Sequence, residues 1–246
     1  MSDESTHATR GVKRSYVSPY RSQLAMQTRT TILAAAVELF SERGYAATSV
    51  DDIAERAGVS RATVFSAAGS KRDLIKEARD VALAGDDAPV TMPERPWVRA
   101  LHDEPSIGSA IAIYARAMRE IYQRAARLEL ALAAAAEADS ELVPLARAAQ
   151  EQRHFGCALV ARALGRKGAF RPGVTQAAAA DILFATASPD VYRLLVLVRR
   201  WSPKRYERWL SQSLFVQLTT STSSASLPTT SSGGSSSPTP GARTSP

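Results

Sequence analysis

Apolar residues fall at Ile32, Ala35, Ala36, Leu39 and Phe40. The i, i+3, i+4, i+7, i+8 spacing puts one apolar stripe on a helix. Gly44 follows and suits the left-handed conformation that stops it. Ser49, three residues ahead of Asp52, predicts the start of a short helix that runs to Ala57 and ends at Gly58. Ser60 caps the next helix, which runs to about Ala67. Gly69 and Ser70 separate that helix from a longer one over residues 71–83. Val, Ile and Thr do not alternate with polar residues over any useful length, so strands are not expected. The pattern predicts an all-α fold.

Beyond Trp97 the chain is rich in Ala, Leu and Arg at helical spacing. Residues 106–138 read as one long or kinked helix. Residues 140–163 read as another, with Pro144 in its first turn, where proline is tolerated. After a loop over 165–173, Thr175 opens a small-residue helix over 176–187. Ser188, Pro189 and Asp190 begin a hydrophobic helix to Trp201. Ser202 and Pro203 then supply a cap and an N1 proline for the last helix. One face of that helix carries Tyr206, Trp209, Leu210, Leu214, Gln217 and Leu218.

The pattern lapses in three places. Residues 1–25 are polar and basic without periodicity and read as a flexible arm. Residues 85–96 hold Pro89, Pro93 and Pro96 and read as a linker. Residues 219–246 hold seventeen Ser or Thr, four Pro, three Gly and a single charge, Arg243. Such a composition buries too little to offset its ordering entropy, so a disordered tail is expected. The predicted domains are 26–84 and 97–218.

Composition narrows the function classes. With 45% hydrophobic and 22% charged residues, the 246-residue chain can build globular cores. No apolar run reaches the roughly 18 residues of a membrane span, and the N-terminus lacks the features of a secretory signal. A lone cysteine, Cys157, excludes a disulfide framework within one chain. His7, His102 and His154 lie far apart, and no metal constellation or cofactor motif is visible. These features point to a soluble cytoplasmic protein. The net charge of +7 divides as +3 over residues 1–30, −1 over 31–85 and +5 over 86–246. It is compatible with a nucleic-acid partner but is not gathered in one block.

The informative stretch runs from Val50 to Phe65 and has the steric layout of a helix-turn-helix. Ala54 is small where two helices cross. Gly58 occupies the turn, and Val59 and Val64 are apolar plugs. Ser60 caps the second helix so that its N-terminal end, with free N–H groups and a positive dipole, faces outward toward a phosphate or base edge.

Here the sequence resembles the tetracycline-repressor (TetR) family of transcriptional regulators. The likeness is carried by Ile32-Leu33, Ala35-Ala36 and Leu39-Phe40, then Gly44-Tyr45, Ala47-Thr48-Ser49-Val50 and Ile53-Ala54. Gly58-Val59-Ser60, Thr63-Val64-Phe65, Ser70-Lys71 and Leu74 complete it. It implies an N-terminal three-helix DNA-reading domain joined by a linking helix to an all-helical ligand-binding and dimerisation domain. It also implies a homodimer on a palindromic double-stranded DNA operator. The family usually carries Tyr and Phe where this chain has Phe65 and Ala68. The resemblance implies that the tyrosine hydroxyl bonds a DNA phosphate. Phe65 cannot form that bond, which is worth about 1 kcal/mol.

Candidate DNA contacts follow. Arg61 is placed to read guanine bidentately, or else to meet a phosphate or solvent. Thr63 suits a phosphate or a thymine methyl. Ala62, Phe65 and Ser66 lie beside them, and Ser60 caps the same helix. Thr48 and Ser49 suit phosphate contacts or simple capping. The resemblance implies that Lys71 grips a phosphate. For a small lipophilic effector, the candidate pocket residues are Trp97, Tyr114, Met118, Tyr122, His154, Phe155, Cys157 and Phe184, each alternatively a core residue. The dimer interface is expected on residues 176–187 and 204–218, with an intrachain core as the alternative. The expected protein is a ligand-released repressor and not an enzyme. The alternatives are a DNA-binding regulator or activator without a ligand, and an all-helical small-molecule enzyme. Against the enzyme, the sequence has no paired carboxylates with a supporting motif, no Ser/His/Asp elbow and no phosphate loop.

Overall fold

The computed structural model describes residues 19–85 and 94–220. The expected arm, linker and tail fall mostly outside the described residues. Ten α-helices make up the described part: α1 (Pro19–Arg43), α2 (Val50–Ala57), α3 (Arg61–Ala68), α4 (Lys71–Ala84), α5 (Pro96–Asp103), α6 (Ile107–Ala138), α7 (Val143–Gly165), α8 (Gln176–Thr186), α9 (Pro189–Tyr192) and α10 (Pro203–Leu218). A single 3-10 turn, Ser140–Leu142, joins α6 to α7, and a π-helical turn, Arg193–Val198, follows α9. No strand occurs among the described residues. None of the helices there is long and apolar enough to cross a membrane.

Two boundaries differ from expectation. The helix expected after residue 25 begins at Pro19, inside the expected arm. Proline needs no intrahelical N–H partner in a first turn, so it starts a helix well. The linker ends in α5, whose first residue is likewise a proline, Pro96.

The first four helices close on the predicted stripe. Ile32, Leu33, Ala36, Leu39 and Phe40 of α1 are buried with Ile53 and Ala54 of α2, Val64 of α3, and Leu74, Ile75 and Ala78 of α4. The short helices persist because each is capped. Ser49 and Asp52 form a complete capping box on α2, and Ser70 and Asp73 form another on α4. Gly69 is required by geometry: its φ is +75°, and a Cβ there would lie 2.6 Å from Asp73 Oδ2.

Beyond α4, α6 is the central helix and contacts α1, α4, α5, α7, α9 and α10. Tyr206, Leu210, Leu214 and Leu218 of α10 are fully buried, and α10 packs mainly on α6. One face of α10 is therefore intrachain core, while Phe215 and Val216 on its other side are exposed. The π-helical turn and the left-handed Arg200 (φ 57°) break the hydrophobic helix expected to continue to Trp201.

Candidate nucleic-acid interface

The turn between α2 and α3 is built tightly. Gly58 adopts φ 67° and closes α2, its N–H directed at the carbonyls of Ala54 and Glu55. Ser60 accepts the Thr63 N–H at 3.1 Å, and its hydroxyl lies 2.8 Å from that of Thr63. Val64 and Ala68 root α3 in the core. The opposite side of α3 stands in solvent: Ser60, Arg61, Ala62, Phe65 and Ser66 are all exposed, and Thr63 is half-buried. The first N–H groups of α3 share this open side, where helix geometry leaves them without intrahelical partners. An exposed phenylalanine, 44% accessible, is unusual on so small a domain. The residues predicted for α3 therefore form one contiguous surface.

Arg61 does not wave free. Its Nη1 donates to Asp51 Oδ2 across the α2–α3 turn. Its guanidinium carbon lies 5.4 Å from the centroid of the Phe65 ring. Lys71, at the start of α4, is half-buried, with its ammonium 4.1 Å from the centre of the Tyr45 ring. Tyr45 in turn stacks on Phe40 at 5.6 Å. Burial pushes the Lys71 ammonium pKa down from its usual range, while Asp139 and Asp52 pull it back up.

Thr48 is placed differently from expectation. Its side chain is buried, and its hydroxyl donates to the Gly44 carbonyl at 2.8 Å, with that of Leu39 at 3.3 Å. It closes the C-terminal end of α1, so its hydroxyl is committed and a phosphate contact by that group is corrected to a structural role. Ser49 is exposed but engaged: it accepts the Asp52 N–H at 3.0 Å and donates to the Asp52 carboxylate at 2.6 Å. Those bonds hold the Asp52 carboxyl below its ordinary range. Ala68 leaves an open hollow between the end of α3 and α4, bordered by Phe65, Gly69 and Lys76.

The eight candidate pocket residues separate into two groups. Trp97 approaches Tyr114 with ring centroids 6.3 Å apart, and Tyr114 Oη lies 3.9 Å from Cys157 Sγ. Tyr114, Met118, Tyr122 and Cys157 are buried in the hydrophobic core. The Tyr122 hydroxyl donates to the Ala187 carbonyl at 2.7 Å. Burial pushes both tyrosine pKa values and the Cys157 thiol pKa upward. His154, Phe155 and Phe184 instead line a shallow hollow on the outer side of α7 and α8. His154 meets Asp181 at 3.1 Å, and Phe155 is 65% exposed. His154 and Phe155 on α7 and Phe184 on α8 thus lie apart from the buried group.

Sequence reasoning missed the joint between the domains. Arg79 of α4 and Glu129 of α6 are both buried, with Nε and Oε1 2.7 Å apart. They meet as charges, without the alignment of a hydrogen bond. Arg79 Nη1 also donates to Gln152 of α7 at 3.0 Å. Arg124 of α6 donates to the Ala82 carbonyl at 3.1 Å, near the C-terminal end of α4. The charged letters were visible, but only the fold brings partners so distant in sequence together.

Residues 32–78 match the family model of bacterial regulatory proteins, tetR family. No curated relative matches the chain by sequence. Among solved structures, NalD of Pseudomonas aeruginosa, the secondary repressor of the MexAB-OprM multidrug efflux pump, is 24% identical with a TM-score of 0.58. That match covers 79% of this chain and 98% of NalD. A transcriptional regulator from Saccharomonospora viridis in complex with choline is 22% identical over 78% of this chain and 98% of its own, with a TM-score of 0.59. The fatty acid degradation regulator FadR from Bacillus halodurans is 16% identical over 76% and 94%, with a TM-score of 0.60. These likenesses agree on the fold, and the family model covers the helix-turn-helix itself. Residues 32–78 thus carry the sequence pattern of the tetR family of bacterial regulatory proteins, and the chain shares its fold with these solved regulators.

Proposed function

We propose that the protein is a sequence-specific regulator of transcription that binds a pseudo-palindromic double-stranded DNA operator as a homodimer. In this reading it is a repressor, released by a small lipophilic effector, and it works in the cytoplasm, where chromosomal DNA lies. The observation that carries the reading is the open side of α3, where Arg61, Ala62, Phe65 and Ser66 stand exposed on a helix rooted by Val64 and Ala68. An α-helix fits the major groove, and its N-terminal side chains reach base edges.

The dimer is assigned to the outer side of α7 and α8. Phe155 and Leu159 are exposed there beside partly buried Ile182 and Phe184. A twofold axis through that face would set two α3 helices in successive major grooves, about 34 Å apart or a multiple of it. The effector site is assigned to the group around Trp97, Tyr114, Met118, Tyr122 and Cys157, where apolar walls meet a few polar groups. Coupling runs through α4, which packs on both domains, and through α1, which also touches α6. The coupling free energy is expected at about 1–3 kcal/mol, and DNA must weaken effector binding by the same factor. The likeness to NalD, a repressor, favours repression over activation.

The test is an electrophoretic shift with DNA from upstream of the protein's own gene, followed by sedimentation of the complex. Two chains per duplex are expected. A single chain bound would overturn the dimer, and the lack of a shift with any duplex selected from a random pool would overturn the DNA-binding reading. Lys71→Ala should weaken binding to all sequences alike and flatten the salt slope by about one unit.

A further inference from the structure

We propose that Asp51 is a positioning residue for base recognition, holding Arg61 so that the free edge of its guanidinium reads guanine in the major groove. The proposal rests on the DNA-binding reading above and names the base selected by this site. Asp51 and Asp52 are neighbours in the first turn of α2, yet their carboxylates do different things. Asp52 closes the capping box, bonded to both the N–H and the hydroxyl of Ser49. Asp51 takes no part in that box. Its Oδ2 accepts from Nη1 of Arg61, the first residue of α3.

Arg61 is thereby held at two points. The carboxylate takes one nitrogen, and the Phe65 ring, one turn along α3, lies 5.4 Å from the guanidinium carbon. Both charged side chains remain more than half exposed, at 56% and 62%, so the pair stands on the open side of the domain. A guanidinium carries five N–H donors in a planar fork. With Nη1 engaged by Asp51, the side edge formed by Nε and Nη2 remains available. Guanine presents two acceptors, O6 and N7, side by side in the major groove, and a two-donor edge matches them. An arginine already held loses less rotamer freedom on binding. Phe65 contributes by its place rather than by a hydroxyl: it backs the guanidinium where a tyrosine would also offer a phosphate contact.

An exposed ion pair adds little to folding, so the effect of Asp51 should appear in recognition. Its charge also repels the phosphate backbone. Asp51 therefore lowers general attraction to DNA while sharpening discrimination. Removing it should move these two quantities in opposite directions, which a merely structural role would not do.

The experiment is selection from a pool of randomised duplexes by the full-length protein, with the binding of a selected and a random duplex measured for each variant. Wild type should select one guanine per half-site that Arg61→Ala no longer selects, with affinity for the selected site falling roughly 5- to 150-fold. Asp51→Ala should reduce preference at that same position by about threefold to tenfold, and should bind the random duplex more tightly than wild type. Asp51→Asn keeps an acceptor without the charge and should fall between. The double variant Asp51→Ala, Arg61→Ala should show the preference of Arg61→Ala alone. If Asp51→Ala keeps the wild-type preference, or loses it at a different position, the proposal is wrong. It is equally wrong if Arg61→Ala still selects the guanine. If wild type selects no duplex at all, the DNA-binding reading fails first and takes the proposal with it.

Discussion

The reading head closes over Ile32, Phe40, Ile53, Val64 and Leu74, all fully buried, and keeps its charges at the rim. The joint between α4, α6 and α7 instead encloses Arg79 and Glu129, whose contact lacks hydrogen-bond alignment. The two regions have opposite physical characters. An apolar, closely packed unit with capped helices resists distortion and moves as a body. A buried charged pair with imperfect geometry offsets its desolvation only partly. In the function proposed above, the head presents α3 in one shape and the joint lets the spacing of two heads change. The acids differ in the same sense. Hydrogen bonds from Ser49 and Ser70 hold the Asp52 and Asp73 carboxyls below their usual range. Burial pushes the Glu129 carboxyl above its own, against the pull of Arg79.

The largest expected effect comes from breaking the joint on one side only. Glu129→Ala leaves Arg79 buried without its partner charge and should cost about 3–5 kcal/mol in urea unfolding. Glu38→Ala removes a more exposed pair with Arg56 at the head and should cost about 1 kcal/mol or less. Equal costs would erase the contrast between rim and joint.

Next in size is Gly69→Ala. It combines a positive-φ backbone that favours glycine with a Cβ that would press on Asp73, and should cost about 1–3 kcal/mol, read as a lowered midpoint of thermal unfolding. Ser70→Ala removes the cap of the same helix and should cost about 1 kcal/mol. If neither change lowers the midpoint, capping does not hold the head together.

The smallest effect is in pH dependence, and its sign differs between the regions. Asp52 and Asp73 have lowered native pKa values. Their contribution is present above the ordinary aspartate range and is lost as pH falls through those lowered values. Glu129 has a raised native pKa. Its contribution is fully present below the ordinary glutamate range and is lost as pH rises through the raised value. Unfolding of wild type and Glu129→Gln, compared upward from the ordinary glutamate range, should show the wild type losing stability relative to the variant. A constant difference would mean that Glu129 titrates alike in the folded and unfolded chains.

Much of the head was legible in the sequence because its determinants are local. Caps lie three residues from the N–H groups they satisfy, as Ser49, Ser60 and Ser70 do. The stripe from Ile32 to Phe40 repeats at a helical period and is buried. What escaped was set by tertiary placement. Thr48 looked like a surface cap but turns inward onto the end of α1. The α10 stripe read as a dimer face, with a core as the alternative, and within the chain it packs on α6. Phe155 and Phe184 looked like pocket walls because composition does not say which way a helix turns. Asp51 and Arg61, ten residues apart on two helices, gave no local signal of their pairing.

Whether α3 reads sequence is decided by a titration of fluorescent duplexes. Anisotropy should be followed with a duplex carrying a selected palindrome and with a scrambled duplex, each at several salt concentrations. Affinity for both should fall with salt, and the palindrome should be bound at least about 1,000-fold more tightly. Equal affinities for the two duplexes at every salt concentration would contradict sequence reading by α3, leaving only general attraction between a basic protein and DNA.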